Sequence, residues 1–204
     1  MILTAISGAS GPIIGIRLIE ELLAAGETVA AVVSAPARQI IAYEILDRGE
    51  RFTDLADLLV RRQPDRDVSG LREYDNDDFF APAASGSSDL EAVVVAPCSM
   101  KTLAAIVHGY ADSLMVRACD VALKEKRQCL IVPRETPLNQ IHTENLYRAA
   151  RAGIDILPPV PGFYTRPQTI EDVVDFIVGK ILTLLGKPHS LFPAWGTGTD
   201  TGSC

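Results

Sequence analysis

Short apolar runs alternate along the chain with stretches in which apolar residues recur every third or fourth position. Uninterrupted runs rich in β-branched residues are typical of buried strands, and the helical period is typical of helices packed on a sheet. The runs predict strands at Ile2–Ser7, Val29–Val33, Ala92–Ala96, Gln128–Val132 and Ile154–Leu157. The periodic stretches predict a helix from Ile13 that ends at Gly26, and further helices at Arg38–Leu46, Asp54–Val60, Ser99–His108, Asp112–Lys126, Leu138–Ala152 and Thr169–Leu185.

This alternation predicts an α/β doubly wound fold with a mainly parallel sheet, of the Rossmann or flavodoxin-like kind. We expect one domain over residues 1–186, followed by a tail at 187–204 that is rich in Gly, Thr and Pro. Ligands of such folds bind beyond the carboxyl ends of the strands, near the switch in strand order. The segments predicted to lie there are Ser7–Gly11, Ser34, Pro97–Thr102 and Pro133–Pro137.

Charge and cysteine content narrow the class of protein. The 204 residues include 19 Lys and Arg against 26 Asp and Glu, a net charge of −7 that argues against a general nucleic-acid binder. No apolar run approaches the ~20 residues that a membrane span requires, and no basic leader precedes the first strand. The four cysteines, Cys98, Cys119, Cys129 and Cys204, form no CxxC or zinc spacing. We therefore expect a cytoplasmic protein without a structural metal.

Two strand-to-helix junctions carry candidate binding chemistry. Gly8–Gly11 joins the first strand to its helix, and its glycines allow the backbone and the free N–H groups of the helix to approach a ligand. Ser99 is a predicted N-cap for the helix that follows Pro97–Cys98, and Ser34 ends the second strand. Taken singly, the Gly8–Gly11 turn is equally well explained by helix packing, and the junction at Ser99 is better explained by simple capping. Together they favour a shared mononucleotide site.

Other candidate groups are small polar loops and fixed cations. The loop Ala84–Ser88 suits phosphate binding through N–H and O–H groups, although its composition also fits a flexible linker. Pro133–Pro137 holds an adjacent arginine and glutamate between two prolines, which suits phosphate binding and proton transfer. Asp75–Asp78 is interpreted as a solvated acidic loop. Trp195, alone in a tail of small residues, suggests a docking anchor at a subunit interface.

The segments SGASG, ASGSS, APCSMKTLAAI, RACDVALKEKR, VPRETPLNQIHTENL, PPVPGFYTRP and VDFIVGKIL, in this order, resemble the UbiX-like flavin prenyltransferase family. The resemblance extends from Ile2 to Trp195, and VPRETPL followed by IHTEN is its most specific part. It implies FMN as the bound flavin, dimethylallyl monophosphate as the prenyl donor, and transfer to N5 and C6 of reduced FMN. The implied product is prenylated FMN, the cofactor of UbiD-type decarboxylases.

The resemblance also implies roles for individual residues. It assigns FMN binding to Gly8, Ala9, Ser10, Ser34, Ser99, Met100, Lys101, Thr102 and Arg134. It assigns the donor phosphate to Ala84, Ser85, Gly86, Ser87, Arg117, Lys124, Glu135, Tyr164 and Lys180. The predicted catalytic residues are Glu135 for proton traffic, Ser10, Lys124, Glu44 and Trp195. Lys180 stands where the family has arginine as well as lysine, and lysine lacks the bidentate fork.

Two other functions fit the same fold. An FMN-dependent cysteine-peptide decarboxylase would share the fold and flavin, but the early catalytic histidine and the substrate loop expected of such enzymes are not found in the sequence. A non-catalytic FMN carrier subunit would need the flavin-binding residues alone and no second pocket. The family forms large homo-oligomers, commonly dodecamers, with sites built at subunit interfaces, so we also expect self-association.

Overall fold

The computed structural model describes residues 1–193, which form two compact units divided between Pro159 and Val160. The first unit contains strands β1 (Ile2–Ile6), β2 (Val29–Val33), β3 (Leu71–Tyr74), β4 (Ala92–Cys98), β5 (Gln128–Pro133) and β6 (Asp155–Ile156). Its helices are α1 (Ile13–Ala24), α2 (Ala35–Glu44), α3 (Leu55–Arg62), α4 (Met100–Val107), α5 (Leu114–Lys124) and α6 (Gln140–Arg151), with a 3-10 turn at Pro82–Ala84. The second unit contains a 3-10 turn at Phe163–Thr165 and helix α7 (Ile170–Leu184).

The six strands form one parallel sheet in the order β3-β2-β1-β4-β5-β6. Ile2 of β1 pairs with Val29 on one side and with Ala92 on the other, so the chain winds outward in both directions from β1 and β4. The predicted α/β doubly wound class is confirmed. The switch in strand order lies between β1 and β4, which places their two carboxyl-end loops side by side.

Strand β3 was missing from the sequence-based prediction. Its sequence, LREY, has no apolar run, and its residues are only partly buried because it lies at the edge of the sheet. The central strands β1, β2 and β4 are buried at every position and were predicted from their apolar runs.

Cys98, Cys119 and Cys129 are buried, and burial raises the pKa of the Cys98 thiol, so they behave as small apolar side chains. None of the helices within residues 1–193 is long and apolar enough to span a bilayer.

Five helices end in the same hydrogen-bonded motif, in which the second residue past the helix is left-handed. In α1, α4, α6 and α7 that residue is a glycine, but in α5 it is Lys126, with φ of 57°. The Lys126 N–H donates to the Leu123 carbonyl, and the Arg127 N–H donates to the Ala122 carbonyl. Lysine therefore adopts a backbone conformation that costs a residue with a Cβ about 1 kcal/mol.

Replacing Lys126 by glycine is expected to raise the free energy of unfolding by about 0.5–1 kcal/mol, because glycine has no steric penalty at this φ. The change is measured by urea denaturation at fixed protein concentration. Gly153→Lys is the matched control, since Gly153 occupies the same position after α6 and a Cβ there meets open space. That variant should lose a similar free energy. Equal stability of Lys126→Gly and the parent chain would contradict the prediction.

Candidate active site at the carboxyl edge of the sheet

A buried serine fastens the two loops at the switch point. Ser7 follows β1, and its hydroxyl donates to the Pro97 carbonyl over 2.8 Å while accepting the Ser99 N–H over 2.7 Å. The Ser7 N–H also donates to the Pro97 carbonyl, at 3.2 Å. These bonds fix where the Gly8–Gly11 turn lies relative to the start of α4. The sequence placed Ser7 at this edge but assigned it no role, because a single serine ending a strand has no distinctive pattern.

Serines cap two of the helices that begin at this edge. Ser34 accepts the Ala37 N–H over 3.2 Å and caps α2, and Ser99 accepts the Thr102 N–H over 3.2 Å and caps α4. The Ser99 hydroxyl also donates to Thr102 Oγ1, at 3.0 Å. The predicted capping role of Ser99 is therefore confirmed. Two helix N-termini at one edge favour negative charge in front of them.

Two cavities open at this edge and share Gly8 and Ser99. The larger, of about 360 Å³, brings the two capped helix starts together with Lys101 and Thr102. Its opposite side includes Asn76 and Asp77. Asn76 also caps α5, since its carbonyl accepts the Leu114 N–H over 2.6 Å and its side chain accepts the Met115 N–H. The sequence analysis did not assign this capping role to Asn76.

The smaller cavity, of about 270 Å³, contains three further charged groups, Glu44, Arg134 and Glu135. Its lining residues come from four segments and are Gly8, Ala9, Ser10, Ile40, Glu44, Ser99, Met100, Arg134 and Glu135. Glu44 Oε2 accepts the Gly11 N–H over 2.9 Å, so this carboxylate is fixed against the turn. The Arg134 backbone N–H donates to the Cys98 carbonyl at 3.0 Å, which holds the β5 loop against β4.

Arg134 carries the clearest sign of an anionic ligand. Its Nε is buried and has no hydrogen-bond partner among the described residues. An unpaired buried donor of a cation is costly, so a negatively charged or carbonyl-bearing ligand that accepted this N–H would remove the cost. The exposed Glu135 follows it and accepts the Thr136 N–H over 3.0 Å. The Arg134 guanidinium, which can bind an anionic ligand, and the Glu135 carboxylate, which can exchange protons, therefore line the same cavity.

Most of the residues predicted to bind the donor phosphate form a different cluster, along α5. Arg117 donates to the Ala84 carbonyl over 3.2 Å, and Arg127 donates to the Gly86 carbonyl over 2.7 Å. Arg127 Nη1 also lies 3.4 Å from the Ser88 hydroxyl. Lys124 pairs with Glu125, and this ion pair holds the pKa of the Glu125 carboxyl below its usual range. The structure thus brings the predicted loop and cations together, and it adds Arg127, which had no assigned role.

The length of β5 separates the Lys124 end of this cluster from Arg134 and Glu135. Lys124 and Arg127 precede β5, whereas Arg134 and Glu135 follow it. A six-residue strand spans about 20 Å, which is far beyond the reach of a lysine side chain. Lys124 and Gly86 therefore lie towards the amino edge of the sheet, and Arg134 lies at the carboxyl edge. Within one chain, Lys124 is out of reach of Arg134 and Glu135.

The second unit contains two further predicted donor-phosphate residues, Tyr164 and Lys180, and both contact one ring. The Tyr164 ring packs edge-on against Phe176, with centroids 5.9 Å apart and planes at 82°. Lys180 Nζ lies 5.6 Å from the centroid of the same ring. Phe176 received no role from the sequence, although its place four residues before Lys180 puts both on one helix face. Trp195 lies outside the described residues.

Known proteins resemble this chain over nearly its whole length. The family model Flavoprotein matches residues 1–182. Flavin prenyltransferase UbiX of Methanocaldococcus jannaschii is 44% identical over 96% of this chain and 98% of its own length.

Solved structures show the same likeness. AnUbiX, solved in complex with FMN and dimethylallyl pyrophosphate, is 38% identical with a TM-score of 0.83, covering 95% of this chain and 96% of its own. A dodecameric FMN-dependent UbiX-like decarboxylase from Escherichia coli O157:H7 is 36% identical with a TM-score of 0.83, covering 96% of this chain and 99% of its own. With the fold and the sequence matched together over this extent, the chain belongs to the UbiX flavin prenyltransferase family.

Proposed function

We propose that this chain transfers a dimethylallyl group from dimethylallyl monophosphate to N5 and C6 of reduced FMN, and that the prenylated flavin serves a UbiD-type decarboxylase. Family membership supports the reaction class, and the FMN and dimethylallyl pyrophosphate bound to AnUbiX support FMN as the acceptor and a phosphate ester of the dimethylallyl group as the donor. The observation that carries the proposal is the unpaired, buried Arg134 Nε beside Glu135 in a cavity that also contains Ser10 and Glu44.

FMN fits the residues of the two cavities. The larger cavity combines two helix N-termini, the hydroxyls of Ser34 and Thr102, and the ammonium of Lys101, a donor set suited to a phosphate dianion. The smaller cavity continues from it through Gly8 and Ser99, and with Ala9, Ser10 and Met100 it would hold the flavin ring. The buried Arg134 Nε is available to an acceptor atom there. When bound, reduced FMN supplies the nucleophilic positions N5 and C6.

The chain's own residues act on the leaving phosphate and on protons. Arg117, Lys124 and the loop Ala84–Ser87 present positive charge and donors, which stabilise the negative charge that develops as the allyl C–O bond breaks. Glu135 moves the proton that leaves on ring closure, and Ser10 and Glu44 position the groups around the Gly8–Gly11 turn. A monophosphate carries less charge than a pyrophosphate, so these cations suffice without a metal ion. We assign Tyr164 and Lys180 of the second unit to the donor phosphate as well.

We further propose that a complete site needs two copies of the chain. About 20 Å of β5 separates Lys124 from Glu135, so one copy supplies the flavin cavities and another supplies the α5 cluster. The dodecameric assembly of the Escherichia coli relative supports this arrangement. We assign Trp195, which lies outside the described residues, to that interface, and we propose that the assembly acts in the cytoplasm.

The test is a mass spectrum of the flavin released after anaerobic incubation of the protein with reduced FMN and dimethylallyl monophosphate. A flavin heavier by one prenyl unit is the expected result. Parallel incubations contain dimethylallyl pyrophosphate or no donor. If prenylated flavin formed only with the pyrophosphate, the donor would be dimethylallyl pyrophosphate and not the monophosphate.

Unchanged FMN from both donors, on folded and flavin-loaded protein, would contradict the transferase proposal. A second incubation with a C-terminal cysteine peptide then separates the two alternative functions. Flavin reduction by the peptide would indicate a thiol decarboxylase, and no reduction would indicate a flavin carrier.

A further inference from the structure

The ammonium group of Lys180 lies against two aromatic rings of the second unit. Its Nζ is 5.6 Å from the centroid of the Phe176 ring and 5.4 Å from that of Phe192. Both distances fall within the range of about 6 Å for cation–π attraction. The two rings contact each other, with centroids 5.0 Å apart and planes inclined by 46°. We refer to Phe176 and Phe192 together as the aromatic clamp.

Two glycines leave the space that the clamp occupies. Gly179 lies inside α7, where glycine lowers helix stability, but a Cβ there would come within 2.9 Å of Phe192 Cδ1. A Cβ on Gly162 would come within 2.8 Å of Phe176 Cζ. Neither glycine has the positive φ that would otherwise explain it. Both are therefore accounted for by the close approach of a clamp ring.

A chain of hydrogen bonds fixes the segment that carries Phe192. The Leu191 N–H donates to His189 Nδ1 over 3.4 Å, and His189 Nε2 lies 3.0 Å from Thr183 Oγ1. The Thr183 hydroxyl donates to the Gly179 carbonyl over 2.9 Å. All three hydrogen bonds can form together if the imidazole proton is on Nε2, so that the Nε2–H donates a hydrogen bond to the Thr183 hydroxyl oxygen. The His189 ring also packs on Phe192, 5.1 Å between centroids, so this segment is tied to the helix that bears Lys180.

The clamp acts on a residue that is otherwise poorly constrained. Lysine is a point charge on a flexible stem with four rotatable bonds, and it lacks the rigid planar fork of arginine. Exposed lysines lose much rotamer freedom when they bind an anion. Two ring faces beside Nζ restrict the ammonium before any ligand arrives, and pre-organisation of this kind strengthens binding. Tyr164 contacts the same Phe176 ring, so its phenol is positioned by the same element.

We propose that the aromatic clamp positions the Lys180 ammonium for the phosphate of the allyl donor, with Phe176 and Phe192 as positioning residues. This inference rests on the proposed function, because it takes the donor phosphate as the ligand of Lys180. It explains how a lysine serves at this place: the rings supply the orientation that a guanidinium would gain from its fork. It also explains the two close-packed glycines, Gly162 and Gly179.

Replacement of Phe192 by leucine tests the clamp, because leucine keeps an apolar side chain and removes the π face. The expected result is a rise of about tenfold in the KM for dimethylallyl monophosphate, with kcat and the Kd for FMN unchanged. Phe192→Tyr retains a π face and should restore the parent KM. Phe52→Leu is the matched control: it removes a ring that lies 5.4 Å from Arg38, in the first unit, and should leave the KM unchanged.

A double-mutant cycle separates positioning from general support of the fold. In a Lys180→Met background, Phe192→Leu should produce no further rise in KM, since the group it positions is absent. An equal rise in both backgrounds, or an unchanged KM in Phe192→Leu alone, would overturn the inference. Phe176→Leu repeats the test if the Phe192 variant does not fold.

Failure of the proposed function has a different signature. If the parent protein makes no prenylated flavin, the same variants are titrated with dimethylallyl monophosphate by calorimetry. A Kd that rises about tenfold in Phe192→Leu only when Lys180 is present would support the clamp although the transferase proposal had failed. A Kd that is independent of Phe192, or the absence of donor binding, would overturn the clamp as well.

Discussion

Replacing Glu135 by glutamine should leave FMN binding intact and slow formation of prenylated flavin by about 10²–10⁴-fold, the usual contribution of a positioned general acid or base. Glutamine keeps the shape of the side chain and an oxygen that can accept the Thr136 N–H, which Glu135 Oε1 accepts at 3.0 Å. The segment from Pro133 to Pro137 should therefore keep its structure. The variant loses the negative charge of the carboxylate and, with it, the capacity to gain and lose a proton.

The rate is measured in a single turnover with reduced FMN already bound, so that flavin loading does not contribute, and the Kd for FMN is measured separately. Glu50→Gln is the matched control, since Glu50 is an exposed glutamate outside both cavities. It should retain the parent rate. A Glu135→Gln protein that prenylates at the parent rate would remove the proton-transfer role from Glu135 and leave Arg134 as the important member of the pair.

The parts of the site that the sequence predicts correctly are those formed by local interactions. Ser99 caps the helix that begins at the next residue, so a serine after an apolar strand was enough to place it. The central strands were predicted from buried β-branched runs. The edge strand β3 was missed because LREY has polar residues on both faces, and its pairing with β2 comes from the sheet rather than from its own pattern.

Contacts distant in the sequence were not predictable. Ser7 and Ser99 are joined by a 2.7 Å hydrogen bond across 92 positions, and Arg127 reaches Gly86 across 41. In neither pair does the local sequence around one residue indicate which distant residue it contacts. The separation of Lys124 from Glu135 has the same cause: eleven positions apart in the sequence, they are placed on opposite sides of β5 by the parallel sheet. A motif-by-motif assignment lists both for one active site, and only the topology shows that they face different edges.

This separation makes a prediction about mixtures of inactive chains. Lys124→Ala removes a cation that binds the donor phosphate, and Glu135→Gln removes the group that carries the proton. Homo-oligomers of either variant should therefore be nearly inactive. Co-expression of the two with different affinity tags, followed by tandem purification, gives mixed assemblies. If the site combines Lys124 of one chain with Glu135 of another, random mixing leaves about one quarter of the sites with both native residues. Mixed assemblies should therefore recover roughly that share of the parent activity.

The control is a mixture whose two defects fall in the same part of the site. Lys124→Ala chains co-assembled with Arg117→Ala chains should recover little activity, because both residues flank the Ala84–Ser88 loop of one chain and every site contains a damaged cluster. If this control recovered as much activity as the first mixture, the activity would come from contaminating native enzyme and not from complementation between the two variants. No recovery in the first mixture would mean that Lys124 and Glu135 act from the same chain. A six-residue strand stands between them, so α5 would then have to be displaced from its place in this structure before the donor could bind.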